Sequence, residues 1–383
     1  MKKLLASYDP SNGELLGELP VTGPEGVNVV VSQAREAYKG WRKLSMVDRV
    51  DLIKKAFSQV EPHVDELAVL MSKEMGKDLR RSTGEVGSTV YGGVSLARSA
   101  MDALETRDLG GGTQLDYQPL GVVVVISPWN YPLAMAKNLM VPALVAGNTV
   151  VFKPSEETPL IAQALVDLLN TVLPQNVLQI VHGDGEQGKA LVESNVNMIA
   201  FTGSQTAGKD IMARASGQLK RLVMELGGND PMIVMHDADI AAAARFAVAS
   251  SFENAGQMCI STERIYVDEK IAGSFEEHVV EFASRYQTGP WDMANVNIGP
   301  IINADQHGKI IEHLRDAEQK GARVLLGGSD QPERYIHPTV VSDMTTEMLM
   351  EQGETFGPVV AISKYAAIEE AVERANNSNY GLG

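Results

Sequence analysis

From Glu25 to about Glu105 apolar residues recur at three- and four-residue spacing, as at Val50, Ile53, Phe57 and Val60 and again at Val64, Leu67 and Met71. That period predicts helices. Within it, Ser82-Thr83-Gly84-Glu85 has the form of a capping box and predicts a helix start. Gly110-Gly111-Gly112 is expected to break the helical run, and Thr113-Gln114-Leu115-Asp116-Tyr117 then leads through Pro119 into the wholly apolar Val122-Val123-Val124-Val125-Ile126. Four more short strands are predicted at 149–153, 177–181, 198–202 and 221–224, with helices filling most of the gaps. Thr158-Pro159 reads as an N-cap followed by proline at the first helical position, before a helical run to Val172. Buried strands alternating with helices specify a parallel sheet covered on both faces, and such sheets take ligands beyond the carboxyl ends of their strands. After Pro231-Met232-Ile233-Val234-Met235 a second α/β unit begins, with helices expected near 240–252, 271–286, 305–320 and 368–375. The fold class is therefore α/β, with two lobes and no low-complexity linker or internal repeat between them.

Composition narrows the function. A chain of 383 residues, 44% of them hydrophobic, can fill more than one core, since single cores stop growing near ~250–300 residues. Acidic residues outnumber basic ones by 49 to 33, giving a formal charge of -16. That charge opposes binding to phosphate backbones and anionic lipid, so neither nucleic acid nor a membrane surface is an expected partner. Met1-Lys2-Lys3-Leu4-Leu5-Ala6 mimics the start of a secretory signal, but Ser7-Tyr8-Asp9-Pro10 ends the apolar run at once, and a cytoplasmic protein is expected. No run approaches the ~18 apolar residues of a membrane span. The seven histidines show no H-x-x-x-H or H-x-x-E-H spacing, so no metal is indicated.

Cys259 is the only cysteine. A lone thiol can neither staple the chain internally nor build a thiolate metal site, which leaves a nucleophile beside the ordinary role of a small buried hydrophobe. The helical run 240–252 breaks at Ala255-Gly256 and the β-branched Arg264-Ile265-Tyr266-Val267 follows, so the thiol is expected in a turn between elements. Other candidates follow the predicted strands. In Ser127-Pro128-Trp129-Asn130-Tyr131-Pro132 two prolines stiffen a turn that displays the Asn130 amide, a donor suited to a developing oxyanion. Lys153-Pro154-Ser155-Glu156 offers a cation and a carboxylate, the latter a usual partner for ribose hydroxyls. Gly183-Asp184-Gly185-Glu186-Gln187-Gly188 is a literal G-x-G-x-x-G, yet its acids would repel phosphate. Thr202-Gly203-Ser204-Gln205-Thr206-Ala207-Gly208-Lys209 has a hydroxyl, glycine, a helix start and no acid, and is the better phosphate site. Glu225, before Leu226-Gly227-Gly228, is either a base whose burial would raise its pKa or a salt-bridge partner.

Taken together, Pro128-Trp129-Asn130, Lys153-Pro154-Ser155-Glu156, Phe201-Thr202-Gly203-Ser204, Glu225-Leu226-Gly227-Gly228, Gly256-Gln257-Met258-Cys259 and Glu354-Thr355-Phe356-Gly357-Pro358-Val359 occur in the order seen in the aldehyde dehydrogenase superfamily. The chain resembles that family from about Asp9 to Gly383. More loosely, through Leu219-Lys220-Arg221-Leu222-Val223-Met224-Glu225 and Asp237-Ala238-Asp239, it is similar to the bacterial succinate-semialdehyde dehydrogenase branch. The resemblance implies a cofactor-binding lobe over 1–100 and 120–228, an oligomerisation ribbon over 101–119 and a catalytic lobe over 229–383. It implies that Cys259 attacks an aldehyde, that the Asn130 amide and the Cys259 backbone N–H hold the oxyanion, and that Glu225 activates water against the thioester. Trp129, Lys153, Ser155, Glu156, Gly203, Ser204, Gly208 and Leu226 match cofactor-contacting positions, while Glu354 and Phe356 match those that hold the nicotinamide ribose and ring. A carboxylate at Glu156 faces the 2′-phosphate of NADP, so NAD is expected to be preferred, with NADP also admitted. A homo-oligomer, dimer or tetramer, is implied when the family's tail is present.

The chain departs from the family pattern at two places. Many relatives carry a lysine nine residues after the oxyanion asparagine, but Leu139 stands there and Lys137 lies two residues earlier, roughly 200° around a helix. Relatives also run on beyond the segment matching Tyr380-Gly381-Leu382-Gly383, and that part is expected to supply catalytic-lobe strands, an aromatic wall of the aldehyde pocket and the strand that builds the oligomer. A relative that binds nucleotide without turnover is therefore the competing reading. The CoA-acylating branch, which generally lacks the deacylating glutamate, is disfavoured by Glu225.

Overall fold

The computed structural model describes residues 3–382, which cluster into two compact units. The first takes the chain up to Tyr8, then Leu15–Glu74 and Arg80–Leu226; the second holds Asp9–Glu14, Met75–Leu79 and the chain from Gly227 on.

In the first unit an antiparallel pair, β1 (Leu4–Tyr8) and β2 (Leu15–Pro20), precedes four helices: α1 (Pro24–Trp41), α2 (Met46–Val60), α3 (Val64–Met75) and α4 (Leu79–Ala103). A short ribbon, β3 (Arg107–Gly110) and β4 (Thr113–Leu115), follows. The sheet is then built by β5 (Val122–Ile126), β6 (Thr149–Lys153), β7 (Leu178–Ile180), β8 (Met198–Gly203) and β9 (Arg221–Leu226). Between them run α5 (Pro132–Val145), α6 (Pro159–Asn170), α7 (Gly185–Glu193) and α8 (Gln205–Ser216). Every strand pair is parallel and the order is β7-β6-β5-β8-β9. The winding direction reverses between β5 and β8, the place where sheets of this kind bind ligands. β5 sits centrally because Val122 to Val125 are all 0% exposed, each such side chain contributing roughly 1.5–3 kcal/mol of burial.

Two local expectations fail here, and a third holds in position but not in its hydrogen bond. Ser82 and Glu85 do not open a helix; they lie buried inside α4. Ser82 shares a hydroxyl hydrogen bond with Ser72, while Glu85 Oε1 accepts the backbone N–H of Leu133 and of Ala134, at 3.0 and 3.1 Å, and so caps α5. Thr158 stands at the N-cap and Pro159 opens α6, as expected, but the Thr158 hydroxyl makes no cap; the Glu74 carboxyl takes the N–H groups of Leu160 and Ile161 at 2.7 and 2.8 Å. The glycine run does not end α4, which stops at Ala103; Gly110, Gly111 and Gly112 form the ribbon's turn.

The second unit is built on β10 (Asp230–Val234), β11 (Thr262–Asp268), β12 (Arg323–Leu326), β13 (Thr339–Ser342) and β14 (Val359–Tyr365), ordered β10-β11-β14-β13-β12. All pairs are parallel except β12 with β13. Helices α9 (Ile240–Ser251), α10 (Ala272–Ala283), α11 (Ala304–Gln319), the short α12 (Leu349–Gln352) and α13 (Ile368–Asn376) complete it. Its core gathers Val248, Phe252, Phe275, Ile310, Leu314 and Ile362. Among the described residues no helix is long and apolar enough to cross a membrane.

Candidate active site

Register shows why the post-strand residues of the first unit belong together. Lys153 pairs with Ile126 and Ile126 with Phe201, which pairs in turn with Met224. The carboxyl ends of four strands therefore stand in one row, and Pro154 to Glu156, Trp129 and Asn130, Gly203 and Ser204, and Glu225 and Leu226 all leave the same edge. Asn130 is buried just ahead of α5, and Trp129 is half-buried. Lys153 is buried with its Nζ 3.4 Å from Glu156 Oε2 and donating to the Pro154 carbonyl at 3.0 Å. Burial lowers the lysine's pKa, against the opposing pull of Glu156 and Asp184. Ser155 Oγ accepts the Glu157 N–H, which shapes the turn that presents Glu156.

The two glycine-rich turns differ as their charges suggest. At the first, the Asp184 carboxylate accepts the Glu186 N–H and the Gln187 side chain accepts the Asp184 N–H, a full capping box that fills the start of α7 from within. At the second, Ser204 is exposed and its hydroxyl accepts only the Ala207 N–H. A Cβ on Gly208 would come within 2.7 Å of Leu226 Cδ2, so the glycine lets α8 lie directly against the end of β9. Glu225 departs from expectation. β9 is an edge strand with alternating exposure, and Glu225 stands on its exposed side rather than buried, so the argument from desolvation does not apply to it. Lys137 is buried, its Nζ lies 2.9 Å from where a Cβ on Gly92 would be, and burial lowers its pKa against the Glu85 charge.

In the second unit Cys259 is half-buried in a tight turn closed by the Ser261 N–H on the Met258 carbonyl at 3.0 Å, between α9 and β11. The approach to it is strained. Asn254 and Ala255 have φ of 51° and 57°, and left-handed backbone at non-glycine residues costs on the order of 1–3 kcal/mol each. Gly256, at φ 69°, packs so closely that a Cβ would fall 2.0 Å from the Gly357 carbonyl oxygen. Gln257, buried, donates to the Asn254 and Pro300 carbonyls and accepts the Ile302 N–H. These contacts hold the turn against the Glu354-to-Val359 loop. On its other side a Cβ on Gly228 would lie 2.4 Å from the Cys259 carbonyl oxygen, and the Gly228 N–H donates to Glu354 Oε1 at 3.3 Å.

Three carboxyls of the second unit act on one another. Burial raises the pKa of Glu354, against the charge of Lys309 and the Gly228 N–H. Burial, followed by the Glu354 charge, pushes Asp230 up to about 7 and Glu263 up to about 8. Glu263, Asp230 and the capping Glu74 were not among the residues that sequence patterns single out, and Glu85 was singled out only as a cap of its own helix. Each stands among polar or small neighbours, as in Ser72-Lys73-Glu74 and Ser261-Thr262-Glu263-Arg264, so no local pattern marks it.

The aldehyde dehydrogenase family pattern matches residues 1–383, and the chain belongs to that family. A Sinorhizobium fredii protein named probable succinate-semialdehyde dehydrogenase (NADP+) is 37% identical over 394 positions, covering 98% of this chain and 78% of that one. The Escherichia coli succinate-semialdehyde dehydrogenase (NADP+) GabD is 34% identical, covering 98% and 80%. The crystal structure of a mutant of aldehyde dehydrogenase C from Pseudomonas syringae, in complex with NAD+ and octanal, superposes with a TM-score of 0.96 at 31% identity, covering 100% of this chain and 80% of that one.

Proposed function

We propose that this chain oxidises a small to medium aldehyde, succinate semialdehyde being the first to test, to the carboxylic acid with NAD or NADP. The observation that carries the reading is the single row of strand ends bearing Asn130, Lys153, Glu156, Gly203 and Glu225, in a chain whose one cysteine lies in a clamped turn. The donor chemistry fits a dinucleotide: the acid-free start of α8 suits a diphosphate, whereas α7 is closed by its own Asp184, and the Glu156 carboxylate suits ribose hydroxyls. Trp129, Lys153, Ser155, Glu156, Gly203, Ser204, Gly208 and Leu226 would hold the adenosine and diphosphate, and Glu354 and Phe356 the nicotinamide end. When bound, the cofactor supplies the hydride acceptor.

The chain's own residues do the rest. The Cys259 thiolate adds to the aldehyde carbon, and the carbonyl electron pair moves to oxygen, where the Asn130 amide and the Cys259 N–H donate to it. Loss of hydride leaves a thioester on Cys259. Glu225 takes a proton from water, whose oxygen attacks the thioester carbon, and the thiolate leaves. Exposure of Glu225 gives it direct access to that water. Glu156 favours NAD, since a carboxylate opposes a 2′-phosphate; the relatives named for NADP+ make the comparison of both cofactors essential. The ribbon β3–β4 is assigned to self-association. Absorbance of NADH or NADPH formed with succinate semialdehyde and a series of aliphatic aldehydes tests the reading, and no reduction with any aldehyde at saturating cofactor would refute it.

A further inference from the structure

Glu263 lies four residues after Cys259, as the second residue of β11, a strand in which every residue is buried. Its two oxygens take successive backbone donors of the loop before β14: Oε2 accepts the Thr355 N–H at 2.5 Å and Oε1 the Phe356 N–H at 2.8 Å. From the opposite side Gln306 Nε2 donates to the carbonyls of Thr355 and Phe356, both at 3.0 Å, and His313 Nδ1 meets Thr355 Oγ1 at 3.1 Å. The Thr355–Phe356 peptide is thus held at both its C=O and its N–H, and the peptides before and after it at one end each. The clamp is needed because Phe356 sits at φ 59°, a region that a bulky aromatic does not adopt by its own preference. A residue that merely filled space at this position would not require two acceptor oxygens aimed at two consecutive N–H groups.

We propose that Glu263 is a positioning residue, holding Glu354 and Phe356 in the bend that receives the nicotinamide end of the cofactor, and so tying that bend to the strand that leaves the cysteine turn. This deepens the function proposed above and rests on it. An amide in place of the carboxyl turns one acceptor oxygen into a donor that faces a backbone N–H, so the clamp opens on one side. Leaving a buried backbone N–H without its acceptor corresponds to about tenfold or more.

The test uses Glu263→Gln in the full chain. In the cofactor-free protein, amide exchange over 353–358 should quicken about tenfold or more while peptides from α9 keep their protection, and the NAD+ dissociation constant should rise by about as much. The aldehyde KM and the rate of Cys259 alkylation should stay within about twofold, a split that general loss of stability would not produce. Gln306→Ala, at a half-exposed position on α11, removes the clamp from the carbonyl side; it should move exchange and NAD+ affinity the same way by a few-fold. Should Glu263→Gln not fold, that second variant decides. Wild-type exchange over 353–358, or wild-type NAD+ affinity, in the folded variants overturns the clamp. A wild-type chain that binds neither NAD+ nor NADP+ overturns the functional reading itself, and the exchange measurement tells the two failures apart.

Discussion

Cys259 owes its place to its neighbours: left-handed backbone at Asn254, Ala255 and Gly256 and the bonds of Gln257 set the turn before any substrate arrives. Cys259→Ala should therefore lower kcat by at least about 10³-fold while leaving the cofactor dissociation constant nearly unchanged, because the Ser204 turn belongs to the other unit. Turnover surviving in that variant would end the thioester mechanism. Glu225→Gln separates the two halves of the reaction. It should release at most one NADH per active site in a burst and then stall, and unchanged steady-state turnover would remove Glu225 from deacylation. The buried carboxyls add a pH dependence of stability. Glu263 at about 8, and Glu74 and Asp230 at about 7, hold protons in the folded state that the unfolded chain has already released. Their stabilisation is full below the unfolded carboxyl range near ~4 and is lost as pH rises through 7 and 8. His182 and His313, held down to about 4 mainly by burial, act in the opposite sense, but only below the unfolded imidazole pKa of about 6.5. Between about pH 6.5 and 8 the carboxyls pull the melting temperature down as pH rises, while Lys137, Lys153 and Lys220, depressed mainly by burial, pull it up; a net fall is expected across that window, and a rise would show that the lysines outweigh the carboxyls.

At the scale of elements, two helices that follow site turns start on carboxyls borrowed from elsewhere: α5, just after Asn130, on Glu85, and α6, after Glu156, on Glu74. Glu85→Ala strips two N–H groups, one buried and one half-buried, of their acceptor. It should cost about 2–4 kcal/mol in urea unfolding and lower kcat more than it changes KM, since the start of α5 aims the Asn130 amide. A loss below ~1 kcal/mol would mean that other donors and acceptors take over. The same pair shows what could be read beforehand. The five strands of the first sheet were legible because wholly apolar runs between helix-period segments have few other solutions, and the break at Ala255-Gly256 located the cysteine turn. The capping role was not legible. Ser82-Thr83-Gly84-Glu85 satisfies a local rule, yet its side chains are claimed by Ser72 and by α5, partners forty or more residues away in the case of Glu85. Glu225 was misjudged for a related reason: nothing in Leu222 to Met224 says that their strand stands at the sheet's edge.

For the molecule as a whole, the division into units shows the same limit. A boundary was expected after residue 228, whereas the compact units part between Leu226 and Gly227, and Asp9–Glu14 and Met75–Leu79 group with the second unit. Short segments carry no mark of such distant partners. The ribbon, by contrast, leads directly to behaviour in solution. Every residue of β3 and β4 is exposed, Leu109 by 62%, and a two-stranded ribbon on its own is marginally stable and offers open backbone edges. Another copy of the ribbon, or another strand, would satisfy those edges. Against this stands the formal charge of -16 on each chain, which makes copies repel at low ionic strength, while a Debye length of about 3 Å at 1 M salt removes most of that repulsion. Self-association should therefore strengthen as sodium chloride is raised from about 0.05 to 0.5 M. Leu109→Pro, which removes a backbone donor of the ribbon and an exposed apolar side chain together, should weaken it at both salts. Sedimentation velocity over a range of protein concentrations decides the matter: a monomer at every concentration and salt, or association indifferent to Leu109→Pro, would take the ribbon out of the assembly.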